Sequence, residues 1–182
     1  ELAPPRGTLD LLPDRADAML GLYEEAHRVS RLCGYRYVET PTFEQTELFA
    51  RTSGATSDVV TKEMYTFEDK GGRSLTLRPE QTASIVRAYL ANAHDLPTPF
   101  KGYHVSPQFR YDRPQAGRLR EFRQFGIETI GATAPAVDVE VLAVGAGVTR
   151  VRPGDRCALR PYLDCGTCDT CRRGRPNCCT SL

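Results

Sequence analysis

An arginine-rich segment, residues 109–120, lies between two strand-like stretches. Guanidinium groups spaced in this way could surround a polyanion, because the planar guanidinium fork matches the geometry of phosphate oxygens. A solvated basic hairpin tip is the alternative interpretation of the same pattern. The arginines concerned are Arg110, Arg113, Arg118 and Arg120.

Acidic and amide side chains near this segment suggest a second type of contact. Gln124 and Glu128 are four positions apart, so they fall on one face of the strand that follows the arginine-rich loop. Glu80 lies at a strand-to-helix turn. Carboxylates that converge beside an arginine-rich loop would suit a cationic amine bound next to a nucleotide.

Six of the seven cysteines fall within the last 26 residues, which points to a metal site. Four of them have the spacing of a closed tetrathiolate site, and Zn²⁺ is the metal that such a site usually holds as a structural ion. An iron–sulfur cluster or a disulfide knot is the less favoured alternative. The predicted ligands are Cys165, Cys168, Cys171 and Cys179.

Composition indicates a globular chain, with 40% hydrophobic and 26% charged residues among 182. There is no apolar run of membrane-spanning length and no signal-peptide pattern at residues 1–13, so we expect a cytoplasmic protein without membrane contact. Residues 145–182 contain seven arginines against three aspartates, in addition to the cysteines. This change in composition predicts a seam near residue 144.

Hydrophobic periodicity predicts helices alternating with strands, as in an α+β fold. We expect a fourth helix to start at Asp138 and to end after about two turns, at Gly145-Ala-Gly147. The other predicted helices are 14–32, 48–53 and 80–93, and the predicted strands are 35–40, 64–67, 74–77, 100–111 and 121–130.

Several collinear motifs resemble the N-terminal half of histidyl-tRNA synthetases, a class II family. They are Pro5-Arg-Gly-Thr8, Tyr37-Val-Glu-Thr-Pro41, Leu75-Thr-Leu-Arg-Pro-Glu80 and Phe109-Arg-Tyr-Asp-Arg-Pro-Gln-Ala-Gly117. The resemblance implies an antiparallel six-stranded catalytic sheet with flanking helices over residues 1–143. It also implies a homodimer formed through the first class motif, which ends at Pro41.

The same resemblance implies the ligands and the residues that bind them. Arg110 would hold the α-phosphate of ATP and the carboxylate of the substrate, and Mg²⁺ would accompany ATP through its phosphate oxygens. The partners would be ATP, L-histidine and tRNA(His). Further nucleotide contacts would come from Asp112, Arg118 and Arg120, and L-histidine would be held by Glu80, Thr82, Gln124 and Glu128.

The chain departs from the family pattern in two ways. Asp112, Gln81 and Arg123 stand where the family usually has Glu, Gly and His, and a side chain at position 81 requires a negative φ. The third class motif, the histidine-specific Arg-Gly-Leu-Asp-Tyr-Tyr type segment and the anticodon domain have no match. We therefore expect an incomplete sheet, exposed apolar surface, impaired histidine adenylation and very little tRNA charging.

Residues 144–182 are similar to the start of the structural zinc lobe of medium-chain zinc-dependent alcohol dehydrogenases. The similarity rests on Val144-Gly-Ala-Gly-Val148, on the Pro153-Gly-Asp155 turn and on Cys165-Gly-Thr-Cys168. It implies a small, loop-rich lobe with a structural zinc ion, because four protein ligands leave no open position for an alcohol. No catalytic zinc ligands or dinucleotide fingerprint accompany it, so we expect no hydride chemistry.

Four hypotheses follow for the function of the chain. It could be an enzyme fragment that adenylates histidine, or a non-catalytic relative such as the synthetase-like regulatory subunit of histidine biosynthesis. It could be a zinc-binding module with a synthetase scaffold. The seam also suits a chimera without enzymatic activity, whose only working site is the zinc site.

Overall fold

The computed structural model describes residues 2–53, 63–113 and 118–147, with the backbone alone for residues 52, 53 and 145–147. The four predicted zinc ligands, Cys165, Cys168, Cys171 and Cys179, lie outside the described residues. The described helices are α1 (Pro13–Leu32), α2 (Thr46–Ser53), α3 (Thr82–Ala91) and α4 (Ala136–Gly147). The strands are β1 (Arg36–Tyr37), β2 (Phe43–Gln45), β3 (Thr66–Glu68), β4 (Ser74–Leu77), β5 (Phe100–Phe109) and β6 (Glu121–Ile130).

The strands form two three-stranded sheets, ordered β1-β5-β6 and β2-β4-β3. β1 runs parallel to β5, and every other pair is antiparallel. The first sheet is therefore mixed, which corrects the expectation of a single antiparallel six-stranded sheet for the described part. The parallel pair arises because β1 leaves α1 through Gly34, whose φ is +79°, and continues alongside β5. The pairing extends to Val38, whose N–H donates to the carbonyl of Tyr103 at 2.8 Å.

The core lies between α1, α4 and one face of the β5–β6 hairpin. Val29, Tyr35, Tyr103 and Val144 are buried together at its centre. Proline at the first position of α1 and a left-handed glycine after its last turn define the limits of that helix. The partly buried residues packed around this centre are Cys33, Phe125, Ile127 and Val141.

The opposite face of the β5–β6 hairpin is polar, and we call it the polar face. Side chains alternate between the two faces of a strand, so residues that pair across the two strands share a face. Ten residue pairs join β5 to β6, from Phe100 with Ile130 to Phe109 with Glu121. The polar face carries His104, Ser106, Gln108 and Arg110 from the β5 side, and Arg120, Gln124, Gly126 and Glu128 from the β6 side.

Helix α4 runs to Gly147, past the point where a break was expected. A glycine inside a helix costs only about 1 kcal/mol relative to alanine, so packing can override it. Val144 supplies that packing, since it is fully buried against α1. Residues on both sides of the predicted seam therefore belong to one helix. Within the described ranges, no helix is long and apolar enough to cross a membrane.

Candidate functional site

Two carboxylates meet at one end of the polar face. Both oxygens of Glu80 accept hydrogen bonds from backbone N–H groups at the start of α3, Thr82 at 2.7 Å and Ala83 at 3.0 Å. Glu80 therefore satisfies donors that the first turn of a helix leaves unpaired. The hydroxyl of Thr82 donates to Glu128 on β6 at 2.6 Å. The structure thus brings together three residues that were predicted to contact histidine.

Glu128 has an unusually high pKa for a carboxylate. Burial raises the pKa of Glu128 to about 7, the hydrogen bond from Thr82 opposes the rise, and the charge of Glu80 adds to it. A buried carboxylate with this pKa would ionise readily once a cation lay beside it. Gln124, the fourth residue predicted to contact histidine, lies on the same face four positions earlier in β6.

Gln81 connects this acidic end to the centre of the polar face. Its side chain is buried, and its Nε2 donates to the hydroxyl of Thr40 at 2.7 Å. Its Oε1 accepts from Ser106 at 3.2 Å and from Gln108 at 3.3 Å. The φ of Gln81 is −105°, so the backbone has the negative φ that a side chain at this position requires. The sequence marks Gln81 as unusual for the family but does not indicate that its side chain bridges three elements.

His104 is a second residue of the site that the sequence pattern did not indicate. Its ring is buried, and Nδ1 lies 2.9 Å from the hydroxyl of Ser106. A Cβ at Gly126, the residue opposite on β6, would come within 2.2 Å of Nε2. Burial and the charge of Arg78 lower the pKa of His104 to about 4, so the ring is neutral near neutral pH. The sequence alone contains no signal for it, because the register that places Gly126 opposite His104 comes from the fold.

Arg78 holds the Pro41 turn against β5. It is almost fully buried, and its guanidinium donates to the carbonyls of Pro107 at 2.8 Å and Thr40 at 2.9 Å. Burial lowers the pKa of Arg78 below its ordinary value. Backbone carbonyls, which accept these hydrogen bonds, compensate part of the cost of burying the charge.

Arg110, the predicted catalytic residue, extends from the end of β5 towards the Glu80 turn. Its Nε donates to the carbonyl of Pro79 at 2.8 Å, and its guanidinium carbon lies 5.3 Å from the ring centre of Phe122. The charge of Arg110 is thus held next to the residue that precedes Glu80. The backbone of residues 79–82 therefore links the Arg110 guanidinium to the acidic end of the polar face.

Asp112 and Arg118, both predicted to contact ATP, are paired with each other. Arg118 donates to the two carboxylate oxygens of Asp112 at 2.7 and 2.8 Å. Only 8% of the Asp112 side chain is exposed, against 54% of Arg118. The pair closes the base of the loop between β5 and β6. Arg120 also contacts this base, because its Nε donates to the Asp112 carbonyl at 3.2 Å.

A basic cavity opens beyond this pair. It has a volume of about 430 Å³ and is lined by Arg6, Tyr111, Asp112, Arg113 and Arg120. The guanidinium of Arg120 stacks 3.9 Å from the ring centre of Tyr111. Because the Asp112 carboxylate is already paired with Arg118, arginines dominate the charge of the cavity. Among the described residues, no group of three or more His, Cys, Asp or Glu side chains could hold a metal ion.

Comparison with known proteins identifies the family. A sequence model of the family described as histidyl-tRNA synthetase matches residues 7–156. The chain belongs to the histidyl-tRNA synthetase family. Its fold agrees with the α+β fold of the apo histidyl-tRNA synthetase of S. aureus. That structure has a TM-score of 0.68 and 39% identity, over 81% of this chain and 34% of that one.

Individual relatives of this synthetase family show how far the similarity extends. The histidine–tRNA ligase of Desulforamulus reducens is 54% identical over 145 residues, which are 79% of this chain and 35% of the relative. That of Moorella thermoacetica is 50% identical over 170 residues, 92% of this chain and 40% of the relative. The chain spans 35% and 40% of the length of these two curated relatives. The family match and the Moorella alignment both extend beyond residue 144.

Another solved relative of the synthetase family carries a double description. It is an ATP phosphoribosyltransferase regulatory subunit/histidyl-tRNA synthetase from Bacillus halodurans. Its TM-score is 0.68 and its identity 30%, over 81% of this chain and 37% of that one. The fold of this chain is therefore shared by a protein whose description includes a regulatory subunit.

Proposed function

We propose that this chain contributes the histidine- and ATP-binding surface of a histidine–tRNA ligase and takes part in the ATP-dependent adenylation of histidine. One observation carries the proposal: the linked carboxylates Glu80 and Glu128 and the guanidinium of Arg110 lie along one face of the β5–β6 hairpin. An amino acid needs both kinds of group, since its amine is cationic and its carboxylate anionic.

The acidic end would hold the substrate cation. The α-ammonium or imidazole group of histidine would bind Glu80 and Glu128, with Thr82 orienting the Glu128 carboxylate and Gln124 adding an amide contact. A bound cation would lower the pKa of Glu128 from about 7, so that its carboxylate ionises on binding. Binding and deprotonation would then be coupled.

Arg110 would act on the reacting groups. In adenylation a carboxylate oxygen of histidine attacks the α-phosphorus of ATP, the bond to the β-phosphate breaks, and pyrophosphate leaves with the electron pair. A fixed guanidinium stabilises the additional negative charge of the pentavalent transition state, which is electrostatic catalysis without a covalent protein intermediate. The hydrogen bond from Arg110 to Pro79 holds the guanidinium in position before the reaction.

The nucleotide would lie towards the open end of the hairpin. Arg120 and the Asp112–Arg118 pair surround that end, from which tRNA(His) would also approach. The oxygens of Glu80 and Asp112 already accept hydrogen bonds, so Mg²⁺ would be held largely by the phosphates of ATP. Bound Mg²⁺ would neutralise phosphate charge, whereas Asp112 and Arg118 would fix the shape of the loop base.

Histidine-dependent exchange between ATP and pyrophosphate tests the proposal. We expect exchange above background, reduced by about 100-fold or more in Arg110→Ala, as is typical when a preorganised transition-state donor is lost. Arg15→Ala is the matched control, because it removes an exposed arginine from α1. Equal background rates in all three proteins would refute the enzymatic proposal.

A non-catalytic regulatory role is the second candidate. It is supported by the Bacillus halodurans relative, whose description includes a regulatory subunit. A regulatory protein would bind histidine through the same acidic end without activating it. Histidine binding measured by calorimetry, abolished in Glu128→Ala but accompanied by no exchange, would favour this candidate over the enzyme.

We also propose a zinc lobe within the segment predicted at 144–182; because Val144 is buried in the core of the synthetase-like domain and α4 continues to Gly147, such a lobe would begin beyond that helix rather than at residue 144. The support is the spacing of Cys165, Cys168, Cys171 and Cys179, since paired C-x₂-C thiolates favour tetrahedral zinc. We expect about one zinc ion per chain in the wild type and none in Cys168→Ser. No bound metal after reconstitution with zinc would refute the lobe.

A homodimer formed through the region around Pro41 completes the proposal. Phe43 and Phe67 support it, because their rings pack 6.2 Å apart while 49% and 43% of each residue stays exposed. Exposed paired aromatics are typical of interfaces. Light scattering should give twice the chain mass, falling to the monomer mass in Phe43→Asp. A wild-type monomer would contradict the dimer.

A further inference from the structure

A tight turn at residues 5–8 precedes α1. The N–H of Thr8 donates to the carbonyl of Pro5 at 3.0 Å, and the Thr8 hydroxyl donates to the same oxygen at 2.8 Å. Gly7 has a φ of +87°, as the third residue of a type II turn requires. Arg6 is therefore held at the corner of a closed turn.

The turn is fixed to the open end of the β5–β6 hairpin. The carbonyl of Gly7 accepts a hydrogen bond from the N–H of Arg120 at 2.7 Å and lies 3.4 Å from the N–H of Glu121. A Cβ at Gly7 would come within 2.7 Å of the Arg120 side chain, so the two segments are in close contact. This attachment brings Arg6 to the same cavity as Arg113 and Arg120.

The lining of this cavity defines the class of ligand. Three of the five residues that line the cavity are arginines, and the one carboxylate among them, Asp112, is already bound to Arg118 through both oxygens. Within the described part of the chain, no acidic side chain pairs with Arg6. A site of this composition suits a ligand with several negative oxygens, because guanidinium forks bind phosphate oxygens strongly.

The position of the cavity relative to Arg110 suggests which phosphates it holds. Arg110 and Arg120 are joined across the hairpin by a backbone hydrogen bond of 2.9 Å. The Arg110 side chain reaches back to Pro79, whereas that of Arg120 lies over Tyr111 in the cavity. A triphosphate whose first phosphate lay at Arg110 would extend past Arg120 towards Arg6.

We propose that Arg6 is a further binding residue of the synthetase site and that it contacts the terminal phosphates of a nucleoside triphosphate. This inference rests on the proposed function, because it assumes that ATP lies with its α-phosphate at Arg110. Arg6 comes from outside the β5–β6 hairpin, so the turn at residues 5–8 adds a wall to the nucleotide site. The motif around Arg6 thereby acquires a role in binding.

Equilibrium binding tests the proposal without catalysis. Inorganic triphosphate, ATP and AMP are titrated by calorimetry into the wild type, Arg6→Ala, Arg6→Lys and the control Arg15→Ala. We expect Arg6→Ala to weaken triphosphate and ATP binding about tenfold, the loss of one charge-assisted contact at a largely solvent-exposed site. AMP lacks the terminal phosphates, so its affinity should not change. Arg6→Lys should recover part of the loss, and the difference should shrink at high salt.

The outcomes separate the inference from the proposed function. Wild-type binding of triphosphate that is unchanged in Arg6→Ala overturns the role of Arg6 and leaves the synthetase proposal intact. An equal loss for AMP and ATP overturns the assignment to the terminal phosphates. Unchanged ATP binding with weaker binding of an RNA hairpin that mimics a tRNA acceptor end would assign Arg6 to the RNA instead. Absence of both nucleotide and histidine binding in the wild type would contradict the proposed function itself.

Discussion

Thr82 and Glu128 are 46 residues apart in sequence and are joined by a hydrogen bond of 2.6 Å from hydroxyl to carboxylate. The bond ties the first residue of α3 to β6 and orients the carboxylate of Glu128. Because Glu80 caps the same helix, one helix start positions both acidic groups. The distance between the carboxylates of Glu80 and Glu128 therefore depends on how α3 packs against the β5–β6 hairpin.

The raised pKa of Glu128 predicts a pH-dependent stability. Its pKa is about 7 in the fold against 4.5 as an ordinary group, so the folded state holds more protons between these values. Its contribution to the free energy of unfolding is fully present below 4.5 and is lost as pH rises through about 7. We expect the free energy of unfolding of the wild type, relative to Glu128→Gln, to fall by about 2 to 3 kcal/mol between about pH 4 and pH 8.

Chemical denaturation over that pH range provides the measurement. His104 titrates in the opposite sense, since its lowered pKa makes stability rise with pH between about 4 and 6.5. The wild type and Glu128→Gln both contain His104, so the difference between their free energies of unfolding does not include the contribution of His104. Glu68→Gln, which changes an exposed carboxylate on β3, is the matched control variant. A pH-independent difference for Glu128→Gln would rule out the raised pKa.

Gly126 should not accept a side chain while His104 is present. An added Cβ would meet the imidazole at 2.2 Å, and the buried ring has little room to move. We expect Gly126→Ala to lower the free energy of unfolding by about 1 to 3 kcal/mol. Thermal and urea denaturation of Gly126→Ala, His104→Ala and the double variant would measure the coupling. Additive losses in the double variant would show that the two side chains do not compete for space.

Removing the Gln81 side chain should weaken the connection between Thr40 and β5. Gln81→Ala leaves the donors of Ser106 and Gln108 without their Gln81 acceptor in a buried site. The expected loss is about 2 to 3 kcal/mol in the free energy of unfolding, from lost hydrogen bonds and lost packing. Gln45→Ala, on the exposed side of β2, is the control and should change little. A loss no larger than that of Gln45→Ala would contradict the bridging role.

Arg118→Ala should destabilise the loop base through Asp112. The variant leaves an almost buried carboxylate without the two donors that it has from Arg118. Because Asp112 then loses both charge-assisted hydrogen bonds, we expect a lower urea midpoint for Arg118→Ala than for the wild type. Arg118→Lys keeps the charge but loses the two-pronged geometry, so we expect an intermediate value in urea denaturation. Equal stability of Arg118→Lys and the wild type would show that charge alone matters.

Local patterns predicted much of the secondary structure. The strand at 121–130 was predicted with its observed bounds, and the start of α1 was predicted within one residue. Alternation also placed Gln124 and Glu128 on one face, which the register confirms. Long amphipathic or alternating segments carry this information themselves, so no distant contact is needed.

Features that depend on distant contacts were not predicted. β1 contains only two of the six residues expected at 35–40, and it pairs in parallel with a strand more than sixty residues later. The continuation of α4 past residue 144 depends on the burial of Val144 against α1. The sequence gives no sign that His104 and Gln81 are special. Only the fold shows that both side chains are buried and that both form a hydrogen bond with the hydroxyl of Ser106.

The hydrogen bonds to the carbonyl of Gly7 determine when the basic cavity can form during translation. Its hydrogen-bond donors belong to Arg120 and Glu121, so the turn at residues 5–8 has no anchor until more than a hundred further residues have been synthesised. The turn can close early, since its own bonds are local. A nascent chain that ends before β6 therefore has Arg6 but not its attachment. The basic cavity is completed only when β6 leaves the ribosome and pairs with β5.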